Sequence, residues 1–162
     1  MIDQLWAGWR RSFIEETDGG RNVESCVLCA LGADLSDDNF VLHRGKHSYV
    51  VLNAYPYAPG HMMVVPYEHV GDLLELADEV YREATDLLRA STQALRSAYD
   101  PEGFNIGANL GRAGGAAFDD HLHFHVVPRW LGDTNFMTTV ASMRVLPESL
   151  SATHARLKGL FS

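Results

Sequence analysis

His121, Leu122, His123, Phe124, His125, Val126 and Val127 form the stretch on which the reading of this chain turns. Side chains alternate between the two faces of a β-strand, so the three histidines share one face while Leu122, Phe124 and Val126 share the other. A strand over 121–127 therefore has a chemical side and a core side. Core packing does not ask for three imidazoles in a row, because each has two ring nitrogens to satisfy and titrates near neutral pH. A half-exposed strand with solvated histidines is the bland alternative, and it leaves the regular His/apolar alternation unaccounted for. Two chemistries fit the pattern: a metal site built from neighbouring imidazoles, or a nucleophilic imidazole with helpers on either side.

Just upstream, Gly111 to Ala117 is a small, flexible loop that delivers the chain to the histidine strand, and Pro128, Arg129 and Trp130 close it. The segment 104–110 predicts a strand with Asn105 and Asn109 on one face. Before it, Val80, Ala84, Leu87, Leu88 and Leu95 fall on one stripe, which predicts a long helix over about 78–98 with a solvated, charged outer face. Earlier still, 40–43 and 49–53 read as a hairpin joined by Arg44, Gly45 and Lys46. The strand 61–66 is apolar on both faces and should be central. A short helix is expected near 71–76. At the ends, Leu5, Trp6, Trp9, Phe13 and Ile14 predict an amphipathic helix over 3–16, Gly132 to Asn135 a turn, and 147–160 a terminal helix with Pro147 in its first turn and Glu148 near its N-terminus. Strands close in sequence and interrupted by one long helix argue for an α+β domain with an antiparallel sheet.

With 162 residues, 46% of them hydrophobic, the chain suits one globular domain. No apolar run approaches the length that a bilayer needs, and the N-terminus lacks a signal-peptide layout, so a soluble, cytoplasmic protein is expected without a membrane partner. Thirteen Lys and Arg against 21 Asp and Glu leave a formal charge of −8, the wrong sign for general binding to nucleic acid. An anionic substrate would need local donors. The two cysteines, Cys26 and Cys29, are spaced for metal or redox chemistry more than for a structural disulfide. With two distant histidines they match the ligand types of a closed tetrahedral zinc site; a redox pair and two inert buried thiols are the rivals.

His-φ-His-φ-His-φ-φ, with φ apolar, resembles the signature of the histidine-triad (HIT) superfamily of nucleotide hydrolases and transferases. The likeness extends to Leu5, Trp6, Ala7, Trp9 and Arg10, to Cys26 and Cys29, to Leu52 and Asn53 through Pro59, Gly60 and His61, and to Val64, Val65 and Pro66. It continues in Gly103, Phe104 and Asn105 to Gly111, and in Val126 to Trp130 with Gly132 to Phe136. These stretches resemble the bacterial diadenosine-tetraphosphate phosphorylase-like branch over most of 5–150. The resemblance implies a single HIT domain over 1–162, with a core at about 20–136, an N-terminal helix and a C-terminal helical extension. It also implies a homodimer without an organic cofactor.

By the same resemblance the protein would be an enzyme that cleaves dinucleoside polyphosphates by phosphorolysis or hydrolysis. His123 would attack the α-phosphorus to form a nucleotidyl-histidine. His125 would bond phosphate or the leaving oxygen, and His121 would hold the triad. A neutral imidazole is a good nucleophile and divides one hard displacement into two easier ones. Backbone N–H groups of Gly115, Ala116 and Ala117 would form an anion nest, with Asn109 as a further donor. Asn53 matches the position that contacts ribose hydroxyls, although a strand-end cap is its ordinary role. Trp130 would cover a base or polyphosphate, with simple packing as its rival reading. His69 and His121 would complete the zinc set with Cys26 and Cys29. His43, His47, His61 and His154 are expected at the surface or at strand ends, without chemistry.

Ala117 departs from the family pattern, in which Ser, Thr or Gln often precedes the first histidine by four residues. Other readings are a nucleoside phosphoramidase or mononucleotide hydrolase, a nucleotide-binding sensor without turnover, and a metalloenzyme whose three strand histidines share one ion.

Overall fold

The computed structural model describes residues 26–36, 39–133 and 148–161. The expected helix over 3–16 lies outside these residues, as do Pro147 and the second half of the turn at Gly132. In chain order the elements are α1 (Val27–Ala33), β1 (Val41–Arg44), β2 (Ser48–Leu52), β3 (Met62–Pro66), α2 (Asp78–Tyr99), β4 (Gly103–Ala108), β5 (Phe124–Arg129) and α3 (Leu150–Leu157). The five strands make one sheet in the order β1-β2-β3-β5-β4, antiparallel throughout. This is the expected α+β architecture. β3 is central and buried along its whole length, as its two-sided apolar sequence predicts.

Period-two alternation divides the sheet chemically. On one face Val50, Leu52, Met62, Val64, Leu122, Phe124 and Val126 pack with Ala84, Leu87 and Leu95 of α2 and Leu157 of α3. On the other, Tyr49, Val51, Met63 and Val65 pack with Cys26, at the start of α1, and with Leu28 of α1. The histidines thus lie on the side away from α2. The long helix runs one residue beyond its expected end, and its stripe includes Ser91 and Ala94 as well. Its outer face is not wholly solvated: Glu83 accepts hydrogen bonds from the N–H groups of Lys46 and His47, both at 2.6 Å, and so fixes the β1–β2 turn.

The histidine strand is shorter at its start than the alternation suggests. β5 begins at Phe124, because Leu122 N–H donates to Val70 O at 2.6 Å, outside the β-ladder. The in/out alternation nevertheless persists, with Leu122 in the α2-side core. The expected helix at 71–76 is a single 3-10 turn, Leu73–Glu75, capped by the Asp72 carboxylate. β4 ends at Ala108, so Asn109 stands just past the strand. The terminal helix is also shorter than expected: Ser149 caps it, its Oγ accepting from Ala152 N–H. Glu148 lies before the helix and accepts from Tyr99 Oη (2.5 Å), Thr153 Oγ1 (3.0 Å) and Arg156.

Two glycines hold positions that a side chain would disturb. Gly60 turns the β2–β3 connection at φ +79°, with Leu95 Cδ2 only 2.6 Å from where a Cβ would sit. Gly71 passes so close to the triad's approach that a Cβ would fall 2.5 Å from Asp119 O and 3.1 Å from Asp120 Cα.

Gly71→Ala should cost about 1–3 kcal/mol in urea denaturation, since the obstacle is backbone that cannot rotate away. Glu148 supplies a pH test. Burial opposes its ionisation, but bonds from Tyr99, Thr153 and Arg156 outweigh that and hold its carboxyl below the ordinary value of 4.5. A depressed carboxylate stabilises the fold fully above its unfolded pKa, and that contribution is lost as pH falls through the folded value. Glu148→Gln should therefore lower stability by about 1–2 kcal/mol at pH 7, and the gap to the wild type should shrink below about pH 4.

Candidate active site and metal centre

His121 is fully buried and three of its polar atoms are engaged. Its Nδ1 lies 3.2 Å from Cys26 Sγ and 3.4 Å from Cys29 Sγ, its Nε2–H donates to Pro66 O at 2.9 Å, and its backbone carbonyl accepts from His123 Nδ1–H at 2.8 Å. Desolvation lowers the pKa of the ring, as does His69 nearby. Cys29 Sγ also lies 3.2 Å from His69 Nδ1. The candidate ligand atoms of Cys26, Cys29, His69 and His121 all fall within 4.8 Å of one another.

That arrangement fits a tetrahedral metal. Ligands at ordinary Zn–S and Zn–N lengths stand roughly 3.5 Å apart on the tetrahedron, near the S···N separations seen. The outer nitrogens are also supported: His121 Nε2 by the Pro66 carbonyl and His69 Nε2 by the Asp120 carboxylate at 3.5 Å. Both Asp120 oxygens are buried without a hydrogen-bond partner among the described residues, so Asp120 has no evident role other than facing His69. Burial and the neighbouring Cys26 push the Cys29 thiol up to about 11, an electrostatic cost that a bound cation would reverse. The short helix α1 contains Cys29 and has Cys26 as its N-cap residue. Arg44 donates to the carbonyls of Leu31, Gly32 and Asp34 at its C-terminal end, and Tyr49 Oη donates to Leu28 O at 2.6 Å.

His123 is 4% exposed, and burial lowers its pKa. Because Nδ1–H is committed to His121 O, the lone pair of the ring is on Nε2. His125 stands beside it, ring centroids 5.0 Å apart and nearly perpendicular. Behind His125 is a residue to which sequence reasoning gave no chemistry. His61 stands just before β3, at a strand end as expected, but it is buried, 1% exposed. Its Nδ1 accepts from Tyr57 N–H at 3.1 Å, so its Nε2 bears the hydrogen and donates to His125 Nδ1 at 3.0 Å. The same logic leaves His125 with an Nε2–H donor. The cue was available in the Pro59-Gly60-His61 turn beside a central strand, but only the three-dimensional pairing brings residues 64 apart in sequence together.

Next to His125 a cavity of about 320 Å³ is lined by residues of β4 and β5, by Tyr57 and by Asp133. Asn105 and Asn109 both line it. Asn109 Nδ2 donates to Gly115 O at 3.4 Å, and the N–H groups of Gly115 and Ala116 serve the loop itself, bonding Arg112 O and Gly111 O. Asn53 Oδ1 caps its turn, accepting from Tyr55 N–H at 2.9 Å, while Nδ2 lies 3.5 Å from His61. The Trp130 ring meets Tyr99 edge-on and is not among the residues lining the cavity. Of the two acids before the triad, Asp119 pairs with Arg112 and Asp120 faces His69. With His121 turned to the cysteines, the geometry does not favour three strand histidines on one ion.

The HIT domain model matches residues 35–130. The chain is 38% identical to an AP-4-A phosphorylase of Mycobacterium tuberculosis over 97% of its own length and 83% of that protein's. It is 31% identical to an adenosine 5′-monophosphoramidase of Schizosaccharomyces pombe, over 65% of this chain and 75% of that one. Among solved structures, a Zn-bound histidine triad family protein of Mycobacterium smegmatis superposes with a TM-score of 0.66 at 27% identity, covering 84% of this chain and 95% of the other. Motif, sheet and relatives agree, and the chain belongs to the HIT family.

Proposed function

We propose that this protein is a nucleotidyl-transferring enzyme that cleaves dinucleoside polyphosphates of the AP-4-A type through a nucleotidyl-His123 intermediate. The observation that carries the reading is the His123 Nδ1–H bond to His121 O, which leaves an unprotonated Nε2 beside the cavity-lining His125. In the first step His123 Nε2 attacks the α-phosphorus, and the anhydride bond to the leaving nucleotide breaks. In the second, water or inorganic phosphate takes the nucleotidyl group and Nε2 recovers its lone pair.

His125, held as an Nε2–H donor by His61, bonds the leaving oxygen. A hydrogen bond suffices for a polyphosphate, which departs as a stable anion, whereas an amine must gain a proton to leave. This contrast favours anhydride cleavage over phosphoramidate cleavage, and the M. tuberculosis relative's name points the same way. Asn109 and the Ala117 N–H are donors for the attacked phosphate, Gly115 and Ala116 shape the loop that presents them, and Asn53, whose Oδ1 caps its own turn, would reach the ribose through its amide. Trp130 meets Tyr99 edge-on and does not line the cavity, which favours packing over contact with substrate as its role.

Zinc is the metal that two thiolates and two imidazoles suit, held by Cys26, Cys29, His69 and His121; when bound it supplies a structural cross-link between α1 and the triad segment. The outer edge of β4 pairs with no other described strand, and Ile106 there is 48% exposed, which suits pairing with a second copy as a homodimer. We further read 1–162 as one cytoplasmic domain.

Product analysis with diadenosine tetraphosphate tests the activity. ADP plus ATP formed only when phosphate is present means phosphorolysis; AMP plus ATP without it means hydrolysis; no cleavage in either case refutes the reading. His123→Ala should lose more than the ~10²–10³ that a single hydrogen-bond donor is worth, while still binding nucleotide. Full activity in that variant would remove the covalent route.

For the metal, purified protein should carry about one zinc per chain, and Cys29→Ser should lose it together with several degrees of melting temperature. Unchanged melting after chelation would count against a structural role.

A further inference from the structure

The half of the triad-bearing sheet face over β5 and β4 is open, and its lining is unusual. Gly107 lies directly across from His125, and Gly103 across from Arg129. A Cβ at either position would meet nothing within 4 Å, and neither glycine has a positive φ. Packing and backbone conformation therefore leave the two glycines unexplained, and at Gly107, which lines the cavity, a clear floor for a ligand explains the missing side chain. At the far end is Arg129, the only Lys or Arg among the described residues that line the cavity. Its fork is held by the Asp133 carboxylate at 2.6 and 2.8 Å, and Nη1 donates to Asn105 Oδ1 at 2.7 Å. Asn105 pairs with Val127, so that bond draws the guanidinium back toward His125, to a register about 7 Å along the strand from it.

We propose that Arg129 is a specificity-determining residue that binds a phosphate group on the leaving side of His125. This rests on the phosphoryl chemistry proposed above. A planar fork recognises carboxylate and phosphate oxyanions with the same two-point geometry, so Asp133 occupies the place that a phosphate of higher charge would take. The side chain is 44% exposed and accessible for that exchange. In a chain of net charge −8, it is the local cation that an anionic substrate requires.

In-line displacement gives one site two occupants in turn. The leaving polyphosphate departs opposite His123, and an incoming inorganic phosphate must enter along the same line. When it does, its oxygen forms the new P–O bond as the P–N bond breaks, and that electron pair returns to Nε2. The ligand chemistry is the same from either source: a phosphate oxyanion one or two units beyond the attacked phosphorus.

The test compares wild type, Arg129→Gln and Arg129→Lys on diadenosine tetraphosphate and on adenosine 5′-phosphoramidate, whose leaving group carries no phosphate. Replacing Arg129 by Gln should reduce the ratio of kcat/KM for the dinucleotide over the phosphoramidate by about 10–100-fold. Lys should recover part of it. If the ratio falls in the absence of phosphate, the bound group belongs to the leaving chain; if only the KM for inorganic phosphate rises, it is the acceptor. A ratio that does not move, with no change in that KM, overturns the proposal. Binding of inorganic tripolyphosphate by calorimetry separates this outcome from failure of the catalytic reading. Should wild type turn over neither substrate, Arg129 is still supported by binding at least about tenfold weaker in the Gln variant, and equal affinity rejects it.

Discussion

A single buried histidine ties the molecule's two halves together. His121 directs one ring nitrogen to the thiols of Cys26 and Cys29, gives the hydrogen of the other to the end of β3, and receives the nucleophile's N–H on its own carbonyl. Desolvation and the facing His69 both disfavour a charge on that ring. The tautomer of His123 follows from that carbonyl, and the carbonyl's position follows from how the ring is held. The proposed metal site thus bears on chemistry without touching substrate.

A second constraint acts from the opposite side. Tyr57 N–H, His61 and His125 form a relay of hydrogen bonds in which each donor decides the next ring's tautomer. The two neighbouring imidazoles His123 and His125 are therefore set in opposite senses, one presenting a lone pair and the other a hydrogen. Neither sense is intrinsic to histidine. Each is imposed by a backbone group, a carbonyl for His123 and an amide for His61, and backbone groups do not titrate in this range.

How much of this could be read from residues alone follows from which interactions are local. Alternation in Leu122, Phe124 and Val126 is a local property, and it correctly gave a core side and a chemical side even though the ladder begins only at Phe124. The stripe on the long helix is equally local. Cys26, Cys29, His69 and His121 were grouped by family resemblance, and their convergence needed the fold. His61 was missed because a single histidine after a turn has no pattern of its own, and its partner lies two strands away in sequence. Sequence places Glu83 on a solvated helix face and Glu148 near a helix N-terminus, and the partners that distinguish them are not local: two backbone amides in one case and a tyrosine, a threonine and an arginine in the other. β5 begins later than the alternation predicts because one bond, from Leu122 to Val70, captures an amide that the alternation assigns to the sheet.

The division of the sheet into an α2-facing side and a histidine side has a consequence for how such a protein can diverge. Along β4 and β5, Phe104, Ala108, Phe124 and Val126 pack toward α2, while Asn105, Gly107, His125 and Arg129 alternate with them and project to the other face. Arg129, Gly107 and Asn105 can be exchanged without opening a cavity against α2, because the α2-side packing of these two strands comes from Phe104, Ala108, Phe124 and Val126. Substrate range is therefore free to drift on a body whose folding energetics stay nearly constant. The paired histidines have no such freedom, since His123 is tied to the backbone carbonyl of His121 and His125 to the His61 ring, which the Tyr57 amide holds in turn.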